Sequence, residues 1–550
     1  MKVVIIGGVA GGATTATRLR RLDENAEIII IERGEYVSFA NCGLPYYVGG
    51  VIEEKEDLLL QTPKSFKDRF NIDVRIKQEA IKIDRENKKI KIKNIEKNEI
   101  YEETYDKLVL SPGAEPINPF SKLDDERIVT LRTVNDSIKI RELINRIHPK
   151  NVSIIGGGYI GVEMAENIKE YSDINVSIIE KASHLIAPLD EDISSFIHNL
   201  LKKKNISLYL NNGVKNINKN KENFNIILEN GEIESDLIIV SIGVKPETNL
   251  AKEADLKTNE KGSIIVNEKL QTLDEDIYAL GDAIQVNNYV TRQPAYIPLA
   301  GPANKQARIV ANNIVGKSDI YSGTLGSSIL KVFEYNLAIT GINENTCKML
   351  GIEYKKIIIT PYSHATYYPN AMPITIKAIY DSINGRILGA QIWGKESVDK
   401  IGDILATAIR MDMDANDLAN LELCYAPPFS SAKSPVNILG NAIQNEMDGL
   451  VENVTFEQVE KIKSPYILDV RTVEEYEYNH INNAKNIPLD SLRNRINEID
   501  KEQEIYVHCK TGLRSYIACR ILKQKGFKVK NIIGGFDLYK TLKKDKKIEF

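Results

Sequence analysis

Two cysteines in this sequence stand where a thiol can do work. Cys42 lies in Ser38-Phe39-Ala40-Asn41-Cys42-Gly43-Leu44-Pro45, shortly after the acid Glu32. Glycine and proline beside it mark the entry to a helix, whose positive end is expected to lower the thiol pKa. Cys509 ends the apolar run Ile505-Tyr506-Val507-His508 and opens Lys510-Thr511-Gly512-Leu513-Arg514-Ser515, with a helical segment behind it. A cysteine at a strand end, curling over backbone N–H groups into a helix start, sits in an anion-binding nest. That nest would stabilise a thiolate or persulfide, with Arg514 adding charge. A free cysteine is otherwise often a small buried hydrophobe, and Cys519 is read so. The five cysteines (Cys42, Cys347, Cys424, Cys509, Cys519) are odd in number and scattered, which is no disulfide framework and fits a reducing cytoplasm. The next cysteine after Cys42 is Cys347, so Cys42 has no nearby disulfide partner. It must cycle as a mixed disulfide with an external molecule or as a sulfenic acid.

The elements that must position these thiols are legible as repeated grammar. An apolar strand at 3–6 is followed by Gly7-Gly8-Val9-Ala10-Gly11-Gly12, a helical run at 13–22, a strand at 27–31 and Glu32. The order recurs at 152–155, Gly156-Gly157-Gly158-Tyr159-Ile160-Gly161, a helix from Val162, a strand at 176–179 and Glu180. One such βαβ unit is a weak signal; two, each with its terminal acid, are a strong one for dinucleotide binding. Gly156 permits the tight turn, Gly158 the approach of a pyrophosphate, and Gly161 close packing of helix on strand. Glu180 suits two ribose hydroxyls and repels a 2′-phosphate, which favours NADH over NADPH, although Lys181 beside it leaves NADPH open. In the first unit Val9 replaces the second glycine, and Gly11 and Gly12 are expected to keep the helix start slim. Gly281-Asp282 closes a further strand and would offer a carboxylate to a polyol chain.

The 550 residues exceed one core. Hydrophobic residues make up 43% and charged residues 27%, ordinary globular values. A net charge of -4 gives no basic field for nucleic acid. No apolar stretch is long enough for a membrane span, and Met1-Lys2-Val3-Val4-Ile5-Ile6 reads as a buried strand rather than an export signal. The run Lys543, Lys544, Lys546, Lys547, broken by Asp545 and Glu549, is read as a solvated tail. The expected fold class is α/β. Two Rossmann-like dinucleotide-binding domains occupy 1–115 with 245–325, and 116–244. An α+β domain follows at 326–445, a linker at 446–455, and a small α/β domain at 456–550.

Two nucleotide units with the Gly281-Asp282 element resemble the two-dinucleotide flavoprotein reductases over about residues 1–445. The resemblance implies FAD on Gly7, Gly8, Ala10, Gly11, Gly12, Glu32, Arg33, Ser111, Gly113, Gly281, Asp282 and Ala300. It implies NADH or NADPH on Gly156, Gly158, Tyr159, Ile160, Gly161, Glu180 and Gly243. Glutathione-reductase-like members carry a second cysteine beside the first, absent here. NADH peroxidases and oxidases carry a histidine where this chain has Ala10. The run 38–50, with Leu59-Leu60-Gln61-Thr62-Pro63, instead resembles the coenzyme A-disulfide reductases. So do Pro298-Leu299-Ala300-Gly301-Pro302-Ala303-Asn304, Ala365-Thr366-Tyr367-Tyr368-Pro369 and Tyr425-Ala426-Pro427-Pro428. That likeness implies Cys42 as redox nucleophile, and Thr14, Arg18, Arg21, Ser38, Asn41, Asn304 and Lys433 on the coenzyme A side, the arginines pairing with phosphates. It implies a homodimer in which Tyr367 and Tyr425, delivered from the partner subunit, protonate the departing coenzyme A thiolate or hold it by hydrogen bonds. Read from the residues alone, a tyrosine in an apolar strand is most often core.

Cys509 to Arg514 resembles the rhodanese active loop, and Leu468-Asp469-Val470-Arg471 and Gly534-Gly535-Phe536 match that domain's opening and closing motifs. Phosphatase cradles are one residue longer, which favours sulfur as cargo; a rhodanese fold used only for docking is the alternative. The implied activity is reduction of coenzyme A disulfide, or coenzyme A persulfide or polysulfide, with Cys509 carrying sulfane sulfur. No metal site is expected. The rivals are an NADH oxidase or peroxidase with an accessory domain, and a sulfurtransferase with a redox-sensing flavin half.

Overall fold

The strand Lys2–Ile6 is a Val/Ile run of which all but the first residue are buried, the pattern of a strand covered on both faces. It lies at the centre of a five-stranded parallel sheet in the order Ile277–Ala279, Lys107–Leu110, Lys2–Ile6, Glu27–Ile31, Asp73–Arg75. A second parallel set runs Asn175–Ile179, Asn151–Ile155, Leu237–Val240, Ile128–Val129. The computed structural model describes residues 1–548, and Glu549 lies outside them. These sheets fall in one compact unit, residues 1–181 and 212–326. Both adjacent strand ends of the first sheet carry the glycine turn and Glu32, so the crevice at the strand C-termini is where a nucleotide would sit.

The second unit holds residues 182–211 and 327 onward. The segment 182–211, expected with the second dinucleotide domain, clusters here for a physical reason. Lys377 is wholly buried, its ammonium 2.9 Å from Asp190, 2.7 Å from Asp192 and 2.5 Å from Glu344. A buried cation demands such partners. Burial would raise Glu344, but Lys377 and Lys356 bring its carboxyl down to about 2. The three carboxylates that could together face a cation thus face this ammonium.

Two sheets follow. The antiparallel one orders Ser328–Val332, Tyr335–Gly341, Ile387–Gly394, Ile374–Asp381, Tyr354–Ile359, and the helix Val398–Arg410 packs on it. The parallel one orders Asn453–Val454, Val529–Ile532, Ile505–His508, Tyr466–Asp469, Lys485–Asn486. The expected linker is well tied. The helix Pro435–Met447 runs into it, Asn453 donates to Glu446 at 2.6 Å, and Asn453 pairs with Asn531 in the sheet. The expected solvated tail is corrected as well. Its lysines are largely exposed, but Asp545 is buried against His198, Ser195 and Lys202. A carboxylate in a basic run found partners on the Glu191–Lys203 helix, which charge patterning along the chain does not encode. No helix among the described residues is long and apolar enough to cross a membrane.

Candidate active site

The two glycine turns are built alike. Glu32 accepts from the Gly8 N–H at 2.8 Å, and Glu180 accepts from the Gly157 N–H at 2.8 Å. Gly7 and Gly156 take φ of +92° and +109°, a region that favours glycine. A side chain at Gly156 would strike the Ser241 carbonyl at 2.4 Å, and one at Gly161 the Gly156 carbonyl at 2.0 Å. A side chain at Gly158 would meet nothing within 4 Å. The protein's own packing therefore requires the first and third glycines, and the second borders open space. In the first turn Gly12 mirrors Gly161, its Cβ falling 1.8 Å from the Gly7 carbonyl. A side chain at Gly11 would strike Leu280 at 2.3 Å and Ser111 at 2.6 Å. The helices Ala10–Arg20 and Tyr159–Tyr171 start without a side-chain cap or an acidic residue in the first turn. Such helix starts suit an anion, and the residues fit a dinucleotide at each turn.

Cys42 is tied to the first turn. Ser38, at φ +49°, donates its N–H to the Gly8 carbonyl at 2.8 Å and accepts from Leu60 at 3.0 Å. The chain then makes one tight turn, Asn41–Gly43, before the short helix Leu44–Val48. The Asn41 amide faces Arg132, its oxygen accepting from Nη1 at 3.1 Å. Arg132 in turn lies 3.9 Å from Asp282. The sulfur of Cys42 reaches solvent, yet its thiol is pushed up, by burial among its neighbours first and then by the carboxylates of Glu163 and Asp282. The expected lowering by a helix dipole is therefore corrected: the helix is five residues long, and burial, with the two acids behind it, raises the thiol. Tyr46, one turn beyond Cys42, donates to Glu163 at 3.5 Å. Burial, with Glu166 nearby, raises the Glu163 carboxyl to about 7.

Around this centre Thr14 donates to Asn304 at 2.6 Å, so two of the residues expected on the coenzyme A side meet. Arg18 is turned onto Asn312 at 3.1 Å, whereas Arg21 is exposed. Arg33 lies 3.6 Å from Glu79 and 3.5 Å from Glu115. The Gly281 N–H donates to Gln306, and burial raises the Asp282 carboxyl. Ser111 continues the first sheet by donating to the Ile6 carbonyl. Gly113 and Gly243 take positive φ, and Ala300 and Ile160 stand exposed at helix starts.

In the second unit the Tyr367 and Tyr425 hydroxyls meet at 2.9 Å. Both rings are exposed, Tyr367 at 74% and Tyr425 at 48%, which overturns the reading of either as core. Lys433 is exposed as well. Cys509 is buried, and the Gly512 N–H donates to its sulfur at 3.1 Å. The loop is held from behind. Phe536 donates to the Cys509 carbonyl at 2.7 Å, and a side chain at Gly535 would lie 2.6 Å from the Lys510 carbonyl. Arg514, expected to add charge to the nest, forks onto Glu475 at 2.6 and 2.9 Å. Cys519 is buried, as read.

Comparison with known proteins completes the picture. Residues 1–307 match the family described as pyridine nucleotide-disulphide oxidoreductase, 327–435 its dimerisation domain, and 455–542 a rhodanese-like domain. The chain belongs to the pyridine nucleotide-disulphide oxidoreductases. It is 37% identical to the coenzyme A disulfide reductase of Staphylococcus aureus over 441 residues, 80% of this chain and 99% of that one. The reduced CoADR-RHD structure of Bacillus anthracis superposes with a TM-score of 0.96 at 46% identity, covering 100% of this chain and 99% of that one. A NAD-dependent persulfide reductase from A. fulgidus gives 0.93 at 37% identity, covering 98% and 100%.

This oxidoreductase carries site residues that the sequence reading missed. Glu475 was detectable as the fourth member of Thr472-Val473-Glu474-Glu475, a capping-box pattern, but its bond to Arg514 was not. Glu163 follows Gly161 by two residues, and Arg132 precedes a capped helix; neither carries a local signature of Cys42.

Proposed function

We propose that this oxidoreductase uses NADH and FAD to reduce a sulfur–sulfur bond of coenzyme A at Cys42, and that Cys509 handles sulfane sulfur. One observation carries the reading: Cys42 is the sole cysteine of the unit that holds both glycine turns. A reductase thiol without a neighbour cycles as a mixed disulfide with its substrate or as a sulfenic acid, and a sulfur–sulfur substrate selects the first. The Cys42 thiolate attacks one sulfur of coenzyme A disulfide, forms the mixed disulfide and releases the first coenzyme A as thiolate. When bound at the first turn, FAD supplies the electron pair drawn from NADH. Cleavage of the mixed disulfide then restores the Cys42 thiolate and frees the second coenzyme A, which takes up a proton. With coenzyme A persulfide the same steps yield coenzyme A and hydrosulfide.

The residues of this chain have distinct parts in that scheme. The helix starts after Gly8 and Gly158 hold the diphosphates, and Glu32 and Glu180 the riboses. Thr14, Arg18, Arg21, Ser38, Asn41, Asn304 and Lys433 bind coenzyme A. Tyr367 and Tyr425 of a second copy protonate the leaving thiolate. The rhodanese-like domain favours a sulfane-sulfur substrate, because a plain disulfide leaves Cys509 without a task.

Anaerobic NADH consumption with coenzyme A disulfide, coenzyme A persulfide and hydrogen peroxide tests this in one series. Turnover of the coenzyme A substrates that is lost in Cys42→Ser is the expected result. Peroxide as the best acceptor by a wide margin would sink the reading and favour a peroxidase.

A further inference from the structure

The Cys509 loop is notable for how its cations are used. Arg514 is the guanidinium of the loop, and both its nitrogens face the Glu475 carboxylate at 2.6 and 2.9 Å. Paired with Arg514, Glu475 is held at about 2 and stays ionised at any working pH. The other guanidinium at the loop, Arg471, is likewise committed: it lies under the Phe536 ring at 3.7 Å and bonds Asp469 at 2.9 Å. His508, next to Cys509, is buried and brought down to about 4 by that burial, so it is neutral. Lys510 is exposed, where solvent and salt screen it. Leu513, between Gly512 and Arg514, is 68% exposed, and Ile517 lies one turn further along the same helix, also exposed.

We infer that Glu475 sets the donor specificity of Cys509: by holding Arg514 in an ion pair beside the exposed Leu513, it turns the loop from inorganic dianions such as thiosulfate toward sulfane sulfur carried on an organic thiol. The inference rests on the reading of Cys509 as a sulfur carrier. A dianion entering the nest competes with the sulfur of Cys509, to which the Gly512 N–H already donates at 3.1 Å, so an uncompensated guanidinium would favour its entry. At its reacting sulfurs a persulfide R–S–SH brings at most one charge, and the methylene beside them is an apolar contact that Leu513 can cover. Its transfer balances without a redox partner. The Cys509 thiolate attacks the outer sulfur, a new S–S bond forms, the R–S bond to that sulfur breaks, and R–S⁻ leaves. The proton of R–S–SH then passes to R–S⁻, giving the Cys509 persulfide anion and R–SH. Glu475 touches neither sulfur; it is a positioning residue that acts through Arg514.

The test uses the full-length chain in the Cys42→Ser, Cys424→Ser background, which removes both exposed thiols, with cyanide trapping the transferred sulfur as thiocyanate. Glutathione persulfide is expected to outrun thiosulfate in kcat/KM by about tenfold or more. In Glu475→Gln, the amide still gives Thr472 its acceptor, a bond now made at 3.0 Å. Freed of its counter-charge, Arg514 should lower the KM for thiosulfate about tenfold with kcat moved far less. That gain should fade with added salt, which a mere change in folding would not produce. An unchanged thiosulfate KM in Glu475→Gln overturns the inference, as does a parent enzyme that uses thiosulfate as well as persulfide. A measurement without any loop variant guards against misfolding: sulfate should not compete with glutathione persulfide, and competitive inhibition overturns the inference. Thiocyanate formation that survives Cys509→Ser defeats the carrier reading instead, and NADH consumption by enzyme retaining Cys42 tests the flavin site separately.

Discussion

His198 donates from Nδ1 to the Asp545 carboxylate at 2.6 Å across 347 residues of chain, and both side chains are buried. The other ring nitrogen accepts the Leu185 N–H at 3.1 Å, while the Ser194 hydroxyl spends its proton on the Leu185 carbonyl at 2.9 Å. The imidazole is therefore neutral, with its proton on Nδ1, and burial holds its pKa below the ordinary histidine value. A serine, a histidine and an aspartate lie in line here, but the serine's proton points away and no substrate can reach it. The cluster fastens the last helix, Gly535–Lys544, to the helix Glu191–Lys203.

Removing Asp545 should loosen that attachment. Asp545→Ala strands the His198 donor in a buried place, while Ser195 keeps its bond to the Glu191 carbonyl at 2.9 Å; the loss should be about 2–4 kcal/mol, with Asp545→Asn milder. The folded pKa of Asp545 is also lowered, by His198 and Lys202 against its burial. Both groups thus favour the deprotonated state in the fold, so their stabilisation is present above the unfolded values and fades as pH falls. Thermal melts should show the loss beginning near pH 6.5 for the histidine and continuing into the carboxylate range. Equal acid sensitivity of parent and Asp545→Ala would contradict this account.

Glu163 should govern the ionisation of Cys42. Its negative charge raises the thiol, so Glu163→Gln should move the midpoint of iodoacetamide alkylation to lower pH, by less than about one unit. Mass-spectrometric counting of alkylated Cys42 against pH reads this directly. A midpoint that stays put or moves upward removes Glu163 from the account and leaves burial and Asp282 to set the thiol.

The paired phenols separate function from folding cleanly. Because Tyr367 and Tyr425 are exposed, replacing either with Phe should leave the melting behaviour of the chain within about 0.5 kcal/mol. If they protonate a leaving thiolate, turnover with coenzyme A disulfide should nevertheless drop about a hundredfold. Unaltered turnover in both variants would remove them from the chemistry.

Glu180 should decide between the two nicotinamide nucleotides. Glu180→Ala takes away a ribose acceptor and the repulsion of a 2′-phosphate, so the KM for NADH should rise about tenfold or more. The NADPH-to-NADH ratio of kcat/KM should rise with it. A fall in that ratio would show that Lys181 or another group reads the phosphate.

What could be read from the sequence was what is local in it. Each glycine turn, its strand and its terminal acid lie within one βαβ unit, and the turn geometry restricts the residue types. The loop from Cys509 to Arg514 is equally short. Contacts that cross the chain left no such trace: Glu475 meets Arg514 from 39 residues away, and Asp545 meets His198 from 347. The pKa of Cys42 went astray for the same reason, since the acids that raise it, Glu163 and Asp282, arrive from two distant elements. Asp545 shows the limit most plainly, as one carboxylate among lysines looks solvated until its partners are known.

The bond from each glycine turn to its own acid has a consequence for how a nucleotide is greeted. Glu32 spends one oxygen on Gly8 and the other on Gly34, at 2.8 and 2.7 Å, and Glu180 is anchored to Gly157 in the same way. A ribose bound as proposed would meet an acceptor that the fold has already immobilised. The ordering cost of that side chain falls on folding rather than on binding. Two sockets thus stand rigid before their plugs arrive.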